Sequence, residues 1–191
     1  MVWSANLLIN PSAETQDTTG WTLTPLDSVT VVENQTLETR YVPFPDDRDK
    51  WFDETHILTL LGAAGDYCFR FEETAQMDQI LYASDIGTQP LSFQFIGKYK
   101  LEQPQNAWDT NILATISLTI YYTDGTNDCF IIPCIKGATH IDRNLINWWL
   151  LTINVCIVNA LKTLDYIKVT AKTVGCIQIL NIDYIELRKE V

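Results

Sequence analysis

The chain alternates apolar and polar positions with a period of two over most of its length, which is the pattern of β-strands that bury one face. About ten such segments follow one another, separated by turn and loop residues. They cover residues 6–10, 29–33, 57–61, 67–72, 91–99, 112–122, 129–135, 148–157, 164–173 and 176–187. The sequence therefore predicts an all-β protein built as a sandwich.

A tight hairpin is predicted in the second half of the chain. Two apolar runs are separated there by Thr123-Asp124-Gly125-Thr126, and an Asp-Gly pair supplies the positive φ angles that a tight turn needs. Residues 112–135 are therefore expected to form one hairpin. Residues 72–82 and 154–164 also show helical spacing, but neither stretch has a strong pair of cap residues, so a strand, or a strand with a loop, is the alternative.

Two stretches interrupt the alternation and are expected to be long surface loops, near residues 40–54 and 100–110. In the first, Pro43 and Pro45 cannot donate to a β-ladder, and charged residues crowd around aromatic ones. No repeat, low-complexity tract or linker divides the chain. Because all-β sandwiches reach about 200 residues as one unit, residues 1–191 are interpreted as a single domain.

Composition and charge exclude several classes of function. Hydrophobic residues make up 47% of the chain, enough for a large core, and the formal net charge is −11 at pH 7. A negative field repels phosphate backbones, so nucleic acid is not an expected partner. The longest uncharged run, residues 144–160, contains several asparagines and alternates in places, which favours strands and predicts no membrane insertion. The first residues lack the basic region, apolar stretch and cleavage site of a secretory signal.

The cysteines indicate reduced thiols. Their number is odd, and they lie in apolar, strand-like runs rather than in turns: Cys68, Cys129, Cys134, Cys156 and Cys176. Buried, unpaired thiols are therefore expected. Cys129 and Cys134 are an odd number of residues apart, which points them to opposite faces of a regular strand. No pair has the spacing of a structural zinc site.

The two ends of the chain carry paired motifs. The opening motif is Asn6-Leu7-Leu8-Ile9-Asn10-Pro11-Ser12-Ala13-Glu14, followed by Gly20-Trp21, and the closing motif is Asn181-Ile182-Asp183-Tyr184-Ile185-Glu186-Leu187. Between them lies the hairpin that begins at Tyr121, and Trp148 or Trp149 precedes the last strands. The set resembles the galactose-binding-like carbohydrate-binding modules. The resemblance spans nearly the whole chain and implies a jelly-roll β-sandwich of two antiparallel sheets.

The same resemblance implies a structural calcium ion. Such modules hold it where the first turn meets the last strand, using a Glu of the opening motif and an Asp of the closing motif, here Glu14 and Asp183. Two carboxylates with backbone carbonyls and water suit Ca²⁺, which takes about six to eight oxygen ligands. The alternative is that Glu14 caps the turn and Asp183 accepts backbone hydrogen bonds.

Glycan contacts are expected from the aromatic loops. A saccharide presents an apolar ring face and a rim of hydroxyls, so its site combines exposed aromatic rings with carboxylates, amides or Arg. The two loops supply a candidate ligand-binding set with this composition: Arg48, Trp51, Phe52, Asp53, Asn106 and Trp108. The alternative is that both Trp side chains pack beneath their own loops.

The sequence contains no convincing active site. Acidic residues within 46–54 could supply the two carboxylates of a glycosidase, but one loop does not set their separation across a scissile bond, so a solvated acidic loop is the simpler interpretation. His56 and His140 are the only histidines, and no nucleophile-elbow, metalloprotease or phosphate-loop motif accompanies them. The chain is therefore predicted not to be an enzyme.

Two functions fit these observations. The first is a non-catalytic adhesion module that binds a glycan or cell-surface polysaccharide through its loop aromatics, for instance on a phage particle. The second is a virion or surface structural protein, such as a decoration, tail or fibre subunit, that uses the same fold to contact other virion proteins or further copies of itself. Either function places the protein outside the cell or on a virion surface.

Overall fold

The computed structural model describes residues 2–33, 66–72, 74–102, 114–134, 149–173 and 179–191, and for residues 100–102, 149–152 and 154 it describes the backbone alone. This part of the chain contains ten strands and one short helix, α1 (Ala83–Ile86). The strands are β1 (Thr22–Thr24), β2 (Val29–Glu33), β3 (Tyr67–Phe71), β4 (Gln76–Tyr82), β5 (Ser92–Glu102), β6 (Ala114–Tyr122), β7 (Asn127–Cys134), β8 (Trp149–Ile157), β9 (Leu164–Thr173) and β10 (Ile179–Lys189). No helix in the described ranges is long and apolar enough to cross a membrane.

The strands form two five-stranded sheets that pack face to face. Sheet 1 has the strand order β1-β4-β9-β6-β7, and sheet 2 has the order β2-β3-β10-β5-β8. Neighbouring strands in both sheets run antiparallel. The predicted jelly-roll sandwich of two antiparallel sheets is confirmed.

The core lies between the sheets and follows from the period-two pattern. Along β6 every second residue from Ala114 to Tyr122 is buried. The same alternation on β9 buries Ile167, Val169 and Ala171. Sheet 2 contributes large aromatic side chains: Phe69, Phe71, Phe93, Phe95 and Tyr99. Because burying one such side chain stabilises a fold by about 1.5–3 kcal/mol, this layer holds the two sheets together.

The two end motifs meet in the structure, as the sequence predicts. The Asn6 side chain lies beside β10, where its Oδ1 accepts a hydrogen bond from the Leu187 backbone (3.0 Å) and its Nδ2 donates to the Ile185 carbonyl (3.2 Å). The buried Trp21 indole donates to the Asn10 carbonyl (3.0 Å) and packs edge-on against Phe69. The asparagine and tryptophan of the opening motif therefore have structural roles.

Several predicted elements are wrong in detail. Residues 6–10 do not form a strand, because the Asn6 side chain takes hydrogen bonds that a strand backbone would make and Asn10 has a φ of 45°. Residues 100–102 belong to β5 rather than to a loop, and residues 76–82 form β4, which excludes the helical alternative. β1 and α1 were not predicted. The predicted strand at 57–61 and the predicted loops at 40–54 and 103–110 lie outside the described residues.

The predicted hairpin is confirmed as β6 and β7, but its turn differs. Tyr121 pairs with Asn127, and the Asp124 carboxylate accepts a hydrogen bond from the Thr126 backbone (2.9 Å). Among the turn residues only Gly125 has a positive φ, +81°. The connection is therefore the longer kind that needs one left-handed residue, not the two-residue turn.

The four described cysteines are free thiols, as expected, but one of them is exposed. Cys68, Cys134 and Cys156 are buried, and burial raises the pKa of the Cys156 thiol to about 12. Cys129 and Cys134 lie on opposite faces of β7, as their spacing predicts, which leaves Cys129 pointing outward opposite Thr119.

Candidate functional site

The loop residues predicted to bind a ligand cannot be placed, because they lie outside the described part of the chain. This applies to the whole set: Arg48, Trp51, Phe52, Asp53, Asn106 and Trp108. Their role stays a prediction.

The two predicted calcium ligands have other partners in the structure. Asp183 is fully buried at a β-bulge in β10, and its Oδ2 lies 3.1 Å from the Nζ of Lys98 on β5. Glu14 is exposed, and its Oε1 accepts a hydrogen bond from the backbone of Tyr67 at the start of β3 (3.1 Å).

The Lys98 ammonium already supplies Asp183 with a positive charge. A calcium ion bound to the same carboxylate would meet like charge there unless Lys98 moved away. Within the described ranges, no group of three or more acidic, histidine or cysteine side chains is placed to hold a metal. Calcium binding through Glu14 and Asp183 stays a prediction.

The outer surface of sheet 1 is described in full, because all five of its strands are. Side chains that point away from the core alternate with core residues along each strand, and the pairing register brings them into rows across the sheet. We call this surface the tyrosine face. Its four longer strands contribute Gln76, Asp78, Ile80 and Tyr82 from β4; Tyr166, Lys168, Thr170 and Lys172 from β9; Thr115, Ser117, Thr119 and Tyr121 from β6; and Asn127, Cys129, Ile131 and Pro133 from β7.

Three tyrosines form one row across this face. Tyr82 on β4 pairs with Tyr166 on β9, which pairs with Tyr121 on β6. The rings of Tyr121 and Tyr166 stack with centroids 4.4 Å apart and planes 16° from parallel, so each covers one face of the other. The Tyr82 ring is 6.1 Å from that of Tyr166, tilted by 55°, and remains 56% exposed. The row therefore presents one open ring supported by two packed ones.

A network of polar side chains lies beside the row and is centred on Asp78. Its Oδ1 accepts a hydrogen bond from the Thr170 hydroxyl (2.6 Å), and its Oδ2 accepts one from the Gln76 amide (2.6 Å) and lies 3.0 Å from the ammonium of Lys168. Both carboxylate oxygens are thus engaged, and the partners are held by neighbouring strands. The network fixes the positions of polar side chains in the middle of the face.

Hydroxyl groups continue the polar surface on the far strands. Thr115, Ser117 and Thr119 alternate with core residues along β6, and all three are partly exposed. Lys172 on β9 is exposed and forms no ion pair with any described residue. The face therefore combines an open aromatic ring with hydrogen-bond donors and acceptors on rigid strands, the composition that a saccharide site requires.

A buried tyrosine anchors the end of the sheet that carries the row. The Tyr122 hydroxyl donates to Asp128 (2.7 Å) and accepts a hydrogen bond from the backbone of Asn159 (2.9 Å), which ties the β6–β7 hairpin to the turn before β9. Lys162 in that turn lies 3.5 Å from the Asp124 carboxylate. Burial raises the pKa of Tyr122 above its usual value. The strands beneath the tyrosine row are thereby fixed to one another.

The tyrosine face was missed from sequence because its row joins three distant strands. One signal was present: along β9 the outward positions read Tyr166, Lys168, Thr170 and Lys172, with aliphatic residues between them. Such alternation identifies an outer face but does not tell which strand lies beside it. Only the register shows that Tyr82 and Tyr121 flank Tyr166.

Comparisons with known proteins agree with this architecture. No family model and no curated protein matches the sequence. Solved structures do match, and they define a class: the chain has the jelly-roll sandwich of carbohydrate-binding modules. The chain is similar to TmCBM61, solved in complex with β-1,4-galactotriose, with a TM-score of 0.56 and 16% identity over 98% of this chain and 100% of that one.

Two further structures are similar. The CBM22-1 xylan-binding domain of Xyn10C from Paenibacillus barcinonensis matches with a TM-score of 0.51 and 13% identity, over 99% of this chain and 97% of that one. The enzymatically active domain of tailspike protein 4 from bacteriophage CBA120 matches with a TM-score of 0.58 and 12% identity, over 96% of this chain but only 21% of that one. At these identities the similarities show the fold alone.

Proposed function

We propose that this protein is a non-catalytic module that binds carbohydrate through the tyrosine face. The observation that carries the proposal is the row of three tyrosines, with Tyr82 open beside the hydrogen-bonded network of Asp78. The fold that the chain shares with TmCBM61, solved with β-1,4-galactotriose, and with a xylan-binding domain supports it. A glycan as partner agrees with the function predicted from sequence.

The geometry suits a pyranose ring. The apolar face of a sugar packs on an exposed aromatic ring, and its hydroxyls exchange hydrogen bonds with the polar groups beside that ring. Tyr166 and Tyr121 support Tyr82 from one side, and the strands fix all three, so little side-chain freedom is lost on binding. The predicted loop residues around Trp51 and Trp108 would extend this site or form a second one.

The acid in the middle of the tyrosine face is not free to act in glycoside hydrolysis. Asp78 is the single carboxylate among the outward positions that form rows with Tyr166, Lys168, Thr170 and Lys172, and both of its oxygens are engaged by Thr170, Gln76 and Lys168. Hydrolysis needs two carboxyl groups on opposite sides of the scissile bond. Binding without catalysis is therefore the function that we propose for this face.

Binding should be measured first on a glycan array and then by titration calorimetry with the best ligand. The substitution Tyr82→Ala removes the open ring. It is expected to weaken binding by about 1 kcal/mol or more, which raises Kd about five-fold. Tyr82→Phe keeps the ring and should bind nearly as wild type does. Ile157→Ala is the matched control, because it removes a side chain that is 64% exposed on sheet 2. Equal affinity for Tyr82→Ala and wild type would contradict the proposal.

Assembly through the same face is the second candidate function, and one observation favours it. Ile80 is 45% exposed and Ile131 is 55% exposed, so the tyrosine face also carries apolar area of the kind found at protein interfaces. A surface or virion protein could use this area to contact its neighbours. Light scattering coupled to size exclusion separates the two functions: a mass above one chain that falls in Ile80→Ser favours assembly, and a monomer that binds glycan favours the first proposal.

A further inference from the structure

The part of the tyrosine face that carries Lys168 and Lys172 is opposite in charge to the whole chain. From the tyrosine row toward Lys172, the outward positions contain Lys168 and Lys172 and one acid, Asp78, a net charge of +1, whereas the chain carries −11. Asp78 is buried and already engaged by three side chains. The charge that a ligand meets on this part of the face is therefore positive.

In the part of the face that carries the lysines, ammonium N–H groups remain available to a ligand, whereas the one carboxylate there, that of Asp78, is already engaged. One N–H of Lys168 points to Asp78, which leaves further N–H groups of its ammonium, and Lys172 is exposed with no ion-pair partner among the described residues. A neutral sugar needs acceptors as well as donors, because each of its hydroxyls donates one hydrogen bond. An ammonium group without a carboxylate partner is instead complementary to an anion.

The lysines also lie at a defined place relative to the aromatic ring. Lys168 is two residues beyond Tyr166 on β9, about 7 Å along the strand, and Lys172 is four residues further. Exposed acids lie at the opposite end of the face, where Asp165 precedes Tyr166 and Asp85 bonds the Tyr82 backbone. A bound anion would therefore lie toward the lysines, while a sugar ring packs on the tyrosines.

We infer that the ligand of the tyrosine face is an acidic polysaccharide, with hexuronate residues whose carboxylates pair with Lys168 and Lys172. The inference rests on the proposed function and names its ligand class. A uronate carboxylate occupies the position of the hydroxymethyl group of the neutral hexose. It adds charge at the ring edge and leaves the apolar ring face flat for Tyr82.

Matched oligosaccharides test this inference directly. Hexamers of β-1,4-mannuronate and β-1,4-glucuronate are compared with mannohexaose and cellohexaose, which differ only in the oxidation of C6, and oligogalacturonate is compared with its carboxyl-reduced form. Calorimetry near neutral pH keeps the carboxylates ionised. A salt concentration of about 0.15 M limits the long-range repulsion from the acidic chain to about 8 Å. In at least one pair, the acidic oligosaccharide is expected to bind on the order of ten-fold tighter than the matched neutral one.

The Lys172 variants identify the contact. Lys172→Gln should weaken binding of the acid by about five-fold and leave the neutral sugar unchanged, whereas Lys172→Arg, which keeps the charge, should retain the preference. Neutral sugars that bind as tightly as the acids in every pair, an unaltered preference in Lys172→Gln, or no binding of any uronate would overturn the inference. The proposed function would survive such results if Tyr82→Ala weakens binding of a neutral glycan, and would fall with the inference if no glycan binds.

Discussion

The ion pair between Lys98 and Asp183 can be tested by removing its cation. Asp183 is fully buried, and the Lys98 side chain is 12% exposed, with 3.1 Å between Nζ and Oδ2. Lys98→Met keeps most of the unbranched side chain but removes the ammonium from the buried carboxylate. Removing one partner of a buried pair costs about 3–5 kcal/mol, because the remaining charge loses its counter-charge in a site shielded from water.

This cost converts to a large thermal shift. For a chain of this size, 1 kcal/mol changes the melting temperature by about 2–4 °C, so Lys98→Met should melt roughly 6–20 °C below wild type. Urea unfolding near neutral pH, followed by tryptophan fluorescence, gives the free energy directly if the slope with denaturant is unchanged. The double variant Lys98→Met/Asp183→Asn, which removes both charges, should regain most of the loss.

Two results would refute this reasoning. A loss below about 1 kcal/mol in Lys98→Met is what an exposed pair gives and would mean that the Asp183 carboxylate does not depend on Lys98 for its charge compensation. A double variant no more stable than Lys98→Met would mean that lost packing, not charge, causes the effect.

The same scans decide the calcium prediction. If Glu14 and Asp183 hold calcium, EDTA should lower the melting temperature of wild type and added Ca²⁺ should restore it. If the Lys98 ammonium is the cation that Asp183 uses, EDTA should leave wild type unchanged while Lys98→Met destabilises it. A double effect, destabilisation by both EDTA and Lys98→Met, would place both cations near this carboxylate.

Three further outcomes are expected from the structure. In urea unfolding, Gly20→Ala should lower the free energy of unfolding more than Gly125→Ala does. Both glycines have positive φ, but a Cβ at Gly20 would lie within 2.9 Å of a side chain, whereas one at Gly125 meets nothing within 4 Å. Equal losses in the two variants would contradict the close contact at Gly20. Cys129 should react with a thiol reagent in the native protein and the buried Cys134, whose pKa is raised by burial, should not, which mass spectrometry of the labelled peptides checks. Tyr122→Phe should cost about 1–2 kcal/mol at neutral pH, because two hydrogen bonds of the hydroxyl are lost. The folded-state pKa of Tyr122 is raised, so its contribution is complete below about pH 10 and disappears as the pH rises through that folded value, and the difference from wild type should shrink there.

The sequence by itself determined the strands and the faces that they bury. The alternation over residues 29–33 and 164–173 predicts β2 and β9 with the bounds that the structure shows, and the end motifs predict that the opening segment meets the last strand. Period-two burial is a local property, because successive side chains of a strand point to opposite faces. Residues 6–10 misled the same reasoning, since the Asn6 side chain replaces backbone hydrogen bonds in a way that alternation does not reveal.

Only the tertiary structure decided which strands lie side by side, and so which outward residues form a site. Tyr82, Tyr121 and Tyr166 are separated by about forty residues each in the sequence and meet because β4 and β6 both pair with β9. Lys98 and Asp183 likewise meet across β5 and β10 at a bulge. The pairing register is set by how the buried faces of the two sheets pack together. The alternation of a strand shows which of its residues are buried, but it is the same whichever strand lies beside it.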